Sequence, residues 1–155
     1  MLSILLVEDD KGVAKSLVSL ILAAQRAYQS PEVARSCEIK FHRVATMKEW
    51  CEHLHDPVDI ILLDLKLPDS EPRQTLDFLD VHAERIAPVI IITAMETATD
   101  EDAWMLPSIA SGAKSFFSKR RLEDREGPRQ LLNAILCVFG AAQRQLRRRK
   151  DAPEI

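Results

Sequence analysis

Residues 60–70, IILLDLKLPDS, decide the fold of this 155-residue chain. The four aliphatic residues 60–63 predict a strand buried on both faces. Asp64 adds a carboxylate at the end of that strand, and the chain then turns through 68–70, where Pro, Asp and Ser follow one another. An aspartate in this place is most often a turn residue. A chemical role for Asp64 therefore depends on what the other strands bring beside it.

The composition is that of an ordinary globular domain. The chain is 46% hydrophobic and 29% charged, and its net charge of −3 gives no basic field for nucleic acid. Its cysteines, Cys37, Cys51 and Cys137, form no CxxC pair, so neither disulfides nor a zinc site is expected. The first ten residues, MLSILLVEDD, are too short and too acidic for a signal peptide, and no run reaches the roughly 18 apolar residues of a membrane span. We expect a cytoplasmic protein.

Five apolar runs predict strands, and five stretches with helical periodicity alternate with them. The predicted strands are 2–7, 38–44, 58–63, 88–93 and 115–118, and the predicted helices are 13–28, 46–55, 74–86, 99–111 and 127–148. The first, third and fourth strands are continuous aliphatic runs, the pattern of a parallel sheet covered on both faces. Right-handed crossovers then give a doubly wound α/β fold in one domain.

Some helix details can also be predicted from local sequence. Thr46 is the expected N-cap of the second helix, with Glu49 as its capping-box partner. Val81 is placed on the inward face of the third helix. Pro107 is expected to kink or shorten the fourth helix, because proline lacks an N–H donor.

Polar residues follow the strands at their carboxyl ends, where doubly wound folds bind ligands. In chain order they are Glu8, Asp9, Asp10, Asp64, Thr93, Ala94 and Lys119. Taken singly, each has an ordinary explanation, such as an acidic first helical turn, a turn aspartate or a solvated lysine. Their joint placement at four strand ends favours a common site.

Clustered carboxylates resist ionising together unless a cation lies among them. Mg²⁺ suits such a cluster, because it prefers oxygen ligands and bridges carboxylates to phosphates. A carboxylate beside the ion can act as a nucleophile toward phosphorus and form an aspartyl phosphate. The metal, Lys119 and the hydroxyl of Thr93 would neutralise the phosphoryl oxygens, and the small Ala94 leaves room for them.

The sequence resembles the receiver domain of bacterial two-component response regulators, of the chemotaxis-regulator-like kind, over about residues 2–145. The resemblance rests on ILLVEDD at 4–10, IILLDLKLPD at 60–69, IITA at 91–94 and GAKSFFSK at 112–119. It implies a flavodoxin-like parallel sheet of five strands in the order 2-1-3-4-5, flanked by five helices.

The resemblance implies a receiver domain over 1–146, with 147–155 as a basic C-terminal tail or the start of a linker. Only the last helix and this tail follow the matching motifs. The chain is therefore either a stand-alone receiver or a fragment of a larger regulator, and nucleic-acid binding is not expected without an output domain.

Residue by residue, the resemblance makes Asp64 the phospho-acceptor. Asp9 would be a direct Mg²⁺ ligand, Glu8 would act through water, and Asp10 would be an adjacent extra acid. The metal shell would consist of Glu8, Asp9, Asp64 and the main-chain carbonyl of Lys66.

The same resemblance makes Thr93 the switch hydroxyl and Lys119 the lysine that pairs with the phosphate, with Ala94 also contacting it. Phe116 falls at the position of the switch aromatic. We expect Thr93 to move toward the phosphoryl group and Phe116 to turn inward behind it; simple core packing is an equal alternative for Phe116.

Two residues depart from the family pattern. Arg120 follows Lys119 where the family usually has a proline, so a trans peptide bond is expected there. Pro72 replaces the glycine expected after the loop of the third strand.

The leading hypothesis is a phosphoryl-accepting signalling switch that receives phosphate from a histidine kinase or phosphotransfer protein. It would not be an enzyme beyond its own phosphoryl transfer and autodephosphorylation. We expect the autodephosphorylation to be slow, because Lys66 and Met95 offer no water-positioning group. A pseudo-receiver that only binds proteins is the alternative. A phosphohydrolase with an Asp nucleophile is disfavoured, because Lys66 stands where a second acid is typical.

The last helix suggests a contact with an unknown downstream protein or a homodimer. Its apolar residues are spaced like a coiled-coil seam: Leu132, Ile135, Phe139, Ala142 and Leu146. Packing on the sheet is the favoured explanation for the first half of the seam.

Overall fold

The five strands form one all-parallel sheet in the order β2-β1-β3-β4-β5. The structure is a computed structural model that describes residues 1–28, 37–95 and 97–151. The strands are β1 (Leu2–Val7), β2 (Ile39–Val44), β3 (Ile60–Leu63), β4 (Val89–Thr93) and β5 (Ser115–Ser118). The predicted fold class and strand order are confirmed.

Within the described residues, five helices cover the two faces of the sheet. They are α1 (Lys11–Tyr28), α2 (Met47–Glu52), α3 (Pro72–His82), α4 (Ala98–Ala110) and α5 (Gly127–Lys150), and a short 3₁₀ helix spans Lys119–Glu123. Helices α1 and α5 pack on one face, and α2, α3 and α4 pack on the other. None of the helices in the described ranges combines the length and apolar character needed to cross a bilayer.

The central strand β3 supplies side chains to both hydrophobic cores. Ile60 and Leu62 point toward α1 and α5, whereas Ile61 and Leu63 point toward the other three helices. All four are at most 1% exposed. Each such burial stabilises the fold by about 1.5–3 kcal/mol, so the end of β3 is held firmly where Asp64 begins.

The register of β1 and β3 brings two acidic strand ends together. Val7 is paired with Leu63 across the two strands, and the amide of Asp64 donates to the carbonyl oxygen of Val7 at 3.0 Å. Glu8 and Asp64 therefore leave the sheet side by side. The strand order reverses at β1, which is where a doubly wound sheet opens a crevice for ligands.

The inward placement of Val81 was wrong, and of the two effects predicted for Pro107 the shortening of the helix is contradicted. Val81 is 71% exposed, because it lies about 200° around the helix from the buried Leu79. Pro107 does not shorten α4, which continues to Ala110. A proline at this position removes only the one hydrogen bond that its N–H would make to the carbonyl oxygen of Ala103, and the hydroxyl of Ser108 donates to the carbonyl oxygen of Trp104 at 2.6 Å.

Helix α2 begins with more capping than its own sequence predicts. Thr46 accepts from the amide of Glu49 at 3.1 Å, as expected for an N-cap. The Glu49 carboxylate accepts from the amide of Ala45 at 2.6 Å rather than from that of Thr46, so the capping box is displaced by one residue. Asp69, in the loop after β3, accepts from the amides of Met47 at 2.8 Å and Lys48 at 3.0 Å.

Replacing Asp69 by alanine should lower the free energy of unfolding by about 0.5–1 kcal/mol, the lower part of the range for a lost cap, because water screens this exposed carboxylate. Burial raises the pKa of Asp69, but the hydrogen bonds from the Met47 and Lys48 amides outweigh it, and the pKa falls below its ordinary value. Because its pKa is lowered on folding, ionised Asp69 stabilises the folded protein at pH values above its unfolded-state pKa. That contribution is lost as the pH falls through the folded-state pKa.

Chemical denaturation of wild type and Asp69→Ala at neutral and acid pH measures this effect. The difference between the two proteins should disappear at acid pH. Asp69→Asn, which keeps an acceptor oxygen without the charge, should fall between them. An unchanged difference at acid pH would contradict the assignment of the cap to the ionised carboxylate.

The last helix is buried only in its first half. Leu132 and Ile135 are 2% and 0% exposed and pack in the core with α1, which confirms packing on the sheet for this half. Leu146 is 51% exposed. The helix continues to Lys150, past the predicted domain limit at residue 146, and residues 152–155 of the predicted tail lie outside the described residues.

Candidate functional site

Both carboxylate oxygens of Asp64 are held by hydrogen-bond donors at the end of β3. Oδ1 accepts from the Thr93 hydroxyl at 2.8 Å and from the amide of Lys66 at 3.0 Å. Oδ2 accepts from the Lys119 ammonium at 2.7 Å. Asp64 is 4% exposed. The bond to Lys66 is that of a turn aspartate, whereas those to Thr93 and Lys119 come from two other strand ends and need a different explanation.

Lys119 bridges two buried carboxylates. Its Nζ lies 2.6 Å from Oε2 of Glu8 and 2.7 Å from Oδ2 of Asp64, and its side chain is 17% exposed. Burial lowers the pKa of Lys119, but the charges and hydrogen bonds of Asp64 and Glu8 outweigh it and raise the pKa above its ordinary value. Lys119 is therefore a fixed positive charge at the carboxyl edge of the sheet.

Glu8 is a buried acid whose proton affinity is increased. Glu8 is 2% exposed, and its Oε1 accepts a hydrogen bond from the amide of Asp10 at 3.1 Å. Burial raises the pKa of Glu8, and the Asp64 charge adds to this, against the opposing effect of Lys119. A further cation at this edge would favour the ionised carboxylate.

Three of the predicted acids form a cluster that fits a metal ion. Glu8, Asp9 and Asp64 each offer a carboxylate oxygen, and these atoms lie within 4.8 Å of one another. Asp9 is exposed, so one side of the cluster is open to water. A set of three carboxylate oxygens with an open side suits Mg²⁺, which binds oxygen and retains several waters.

Asp10 is outside this cluster and serves α1 instead. Its Oδ1 accepts from the amide of Val13 at 2.9 Å. Hydrogen bonds from the amides of Val13 and Gly12 lower the pKa of Asp10. The ordinary interpretation of an acid at a helix start therefore accounts for Asp10.

Solved structures of similar architecture were found in several organisms. A signal receiver domain from Vibrio parahaemolyticus has a TM-score of 0.68 and 20% identity, over 97% of this chain and 98% of that one. The receiver domain of the Francisella response regulator 1452 has a TM-score of 0.65 and 16% identity, over 92% and 99% of the two chains. A CheY-like receiver domain protein from Methanospirillum hungatei JF-1 has a TM-score of 0.63 and 21% identity, over 94% and 98%.

This chain has the response-regulator receiver fold. In sequence it is 30% identical to the transcriptional regulatory protein VxrB of Vibrio cholerae over 117 residues, which are 76% of this chain. The chain spans only 40% of the length of that relative. No protein-family model matches the sequence.

The two adjacent phenylalanines of β5 of the receiver fold lie in different cores. Phe116 is 6% exposed and packs on the side of α2, α3 and α4, and Phe117 is 7% exposed and packs on the side of α1 and α5. Phe116 therefore occupies an inward position. Its role as a switch stays a prediction.

Residues beside Asp64 differ in exposure. Ala94 and Lys66 are exposed, whereas Met95 is 8% exposed and packs in the core. Ala94 and Lys66, which follow Thr93 and Asp64 closely in the chain, are therefore open to solvent. The peptide bond between Lys119 and Arg120 is trans, as predicted.

Arg43 of β2 is a site residue that sequence reasoning missed. Its Nε donates to the carbonyl oxygen of Glu8 at 2.9 Å, and its Nη2 donates to that of Asp9 at 2.6 Å. Arg43 thus braces the backbone of the acidic pair. The available signal was a cation one residue before the end of a strand that neighbours β1 in the sheet.

Proposed function

We propose that this chain is a phosphoryl-accepting signalling switch of a two-component phosphorelay. It is phosphorylated on Asp64, with Mg²⁺, by a histidine kinase or phosphotransfer protein. The observation that carries the proposal is the buried Asp64 carboxylate, which is held by Thr93 and Lys119 within an acidic cluster. The receiver fold and the similarity to a transcriptional regulator support it.

In the proposed reaction a carboxylate oxygen of Asp64 forms a bond to phosphorus. The P–N bond of a phosphohistidine donor breaks, and the histidine nitrogen keeps the electron pair and takes a proton from water. The Lys119 ammonium and the Thr93 hydroxyl, both already at Asp64, supply hydrogen bonds to the phosphoryl oxygens. Mg²⁺ bound by Glu8, Asp9, Asp64 and the Lys66 carbonyl oxygen would neutralise further charge on the phosphoryl group.

Intact-mass analysis after incubation with Mg²⁺ and a small acyl-phosphate donor tests the proposal. Wild type should gain one phosphoryl group, and Asp64→Asn should gain none. Asp10→Asn is the matched control, because Asp10 is a neighbouring acid outside the cluster, and it should behave as wild type. No adduct on folded wild type would instead favour a pseudo-receiver that only binds proteins.

Thr93→Ala should still be phosphorylated, with adduct formation slowed by less than about tenfold, because Lys119 keeps its contact with Asp64. The conformational response should be lost, because the variant has no hydroxyl to follow the phosphoryl group. Changes in Trp104 fluorescence on phosphorylation, together with the mass shift, measure the two effects separately. Thr93→Ser keeps the hydroxyl and should retain the response. A full response from Thr93→Ala would contradict this role.

Phosphorylation of Asp64 would change the contacts that the chain makes with other proteins. The receiver domain spans 1–146, acts in the cytoplasm, and passes the signal to a downstream protein or to a second copy through the last helix. It is a switch and not an enzyme, and its self-dephosphorylation is slow. The exposed ammonium of Lys66 and the buried Met95 support this slow loss of phosphate, since neither is a group that would orient an attacking water.

A further inference from the structure

A buried carboxylate lies on α4, away from the acidic cluster. Glu101, in the first turn of α4, is only 6% exposed. Its Oε1 is 2.7 Å from Nη2 of Arg121, and its Oε2 is 3.8 Å from Nη2 of Arg120. Oε1 makes no hydrogen bond of good geometry within the described residues, so the nearby arginine charge is its main compensation.

The two arginines occupy a special place in the chain. They belong to the 3₁₀ helix that begins at Lys119, the residue that contacts Asp64. Arg120 stands where receivers usually have a proline, so the backbone there lacks the restriction that a proline ring imposes on φ. The amide of Arg120 donates to the hydroxyl of Ser118 at 3.3 Å, and the ion pairs to Glu101 add a second constraint on this turn.

We propose that Glu101 is a positioning residue for Lys119. Through its ion pairs with Arg121 and Arg120, Glu101 fixes the 3₁₀ helix and so the point from which the Lys119 side chain reaches Asp64. This inference rests on the proposed function, because it concerns the lysine that pairs with the phosphoryl group.

The ion pairs also join the helix that follows Thr93 to the 3₁₀ helix that begins at Lys119. Thr93 ends β4 and leads into α4, which carries Glu101, whereas Lys119 directly follows β5 and begins the 3₁₀ helix, which carries Arg121. Breaking this ion pair costs more free energy than breaking an exposed one, because Glu101 is buried and an unpaired buried carboxylate is strongly unfavourable. Helix α4 and the turn after Lys119 are therefore held in a fixed relation.

The ion pairs between Glu101 and the two arginines lie in a polar cleft, so they can be removed by substitution without disturbing the hydrophobic core. Glu101, Arg120 and Arg121 line a polar cleft of about 380 Å³ together with Asp102 and Asp124. The side chains of both arginines are about half exposed. Arg121→Met removes the guanidinium at the solvent side, and Glu101→Gln keeps the size of the side chain. Asp102 is exposed and has no ion pair within the described ranges, so Asp102→Asn is the matched control.

Binding of beryllofluoride, a stable mimic of a phosphoryl group on a carboxylate, reports on Lys119. Titrations on the full chain give the Kd for Mg²⁺ alone and then the Kd for beryllofluoride at saturating Mg²⁺, and thermal melting checks the fold. Glu101→Gln and Arg121→Met should weaken beryllofluoride binding about tenfold, the loss of roughly one charge-assisted hydrogen bond. Their affinity for Mg²⁺ should stay within about twofold of wild type, because Lys119 is not a metal ligand. Asp102→Asn should match wild type in both titrations.

A merely structural ion pair would lower the melting temperature and leave the beryllofluoride affinity unchanged, and that result would overturn the inference. The double variant, Glu101→Gln with Arg121→Met, should lose no more beryllofluoride affinity than either single variant. Additive losses would mean that the two residues act separately, and would also count against the inference. If Glu101→Gln does not fold, the half-exposed Arg121→Met carries the test, and equal loss of Mg²⁺ and beryllofluoride binding by it would contradict the inference. Failure of wild type to bind beryllofluoride would instead count against the proposed function.

Discussion

Lys119→Met is expected to lower the free energy of unfolding by about 3 kcal/mol in the absence of Mg²⁺. The substitution leaves Glu8 and Asp64, which are 2% and 4% exposed, without the ammonium that now lies 2.6 and 2.7 Å from their oxygens. These two buried carboxylates, which offer oxygens within 4.8 Å of one another, repel each other and are poorly solvated. Urea denaturation measures the loss.

Mg²⁺ should restore most of that stability to Lys119→Met, because the metal binds the folded state and replaces the missing positive charge. The loss should also shrink toward acid pH. Burial raises the pKa of Glu8 and Lys119 now opposes this, so removing the lysine lets the carboxyl take up a proton more readily. Lys114→Met, at an exposed lysine, is the control and should be near neutral. A stable Lys119→Met that is indifferent to Mg²⁺ would contradict this account of the site.

Asp9→Asn is expected to weaken Mg²⁺ binding about 100-fold, because it removes one of the few charged oxygen ligands of the proposed site. Asp9 is exposed, and it takes part in the cluster together with the buried Glu8 and Asp64. Its loss should therefore change affinity for the metal and leave the stability of the metal-free protein nearly unchanged. Isothermal titration with Mg²⁺ measures the first quantity, and urea denaturation measures the second.

The neighbouring Asp10 makes the comparison specific. Asp10→Asn changes the net charge by the same amount, but its carboxylate caps α1 and lies outside the cluster. Its Mg²⁺ affinity should stay within about threefold of wild type, which is the size expected for a screened surface charge. Equal losses in the two variants would mean that the site responds only to the general negative charge.

The part of the site that sequence could predict depends on strand ends. Continuous aliphatic runs identified the buried parallel strands, and a parallel sheet brings its carboxyl ends to one edge. Glu8, Asp64 and Thr93 follow or end such runs, and Lys119 follows the predicted fifth strand, so their meeting needed no knowledge of side-chain conformation. The resemblance to receivers added the roles of these residues.

Contacts between elements distant in sequence could not be predicted in this way. Arg43 reaches the backbone of Glu8 and Asp9 only because of the register between β1 and β2. The pairing of Glu101 with Arg121 depends on where α4 lies on the sheet, which a helical pattern alone does not define. Local patterns also misplaced Val81, because an apolar residue two positions after the buried Leu79 lies on the opposite side of the helix.

The most direct test of the central claim locates the phosphoryl group on the chain. Borohydride reduction of the phosphorylated protein converts an aspartyl phosphate to homoserine, and peptide sequencing by mass spectrometry then identifies the modified residue. The proposed function predicts homoserine at position 64 alone. Homoserine at another acid, or a phosphoryl group that resists reduction because it is bound to a hydroxyl or a histidine, would contradict the assignment of Asp64 as the acceptor.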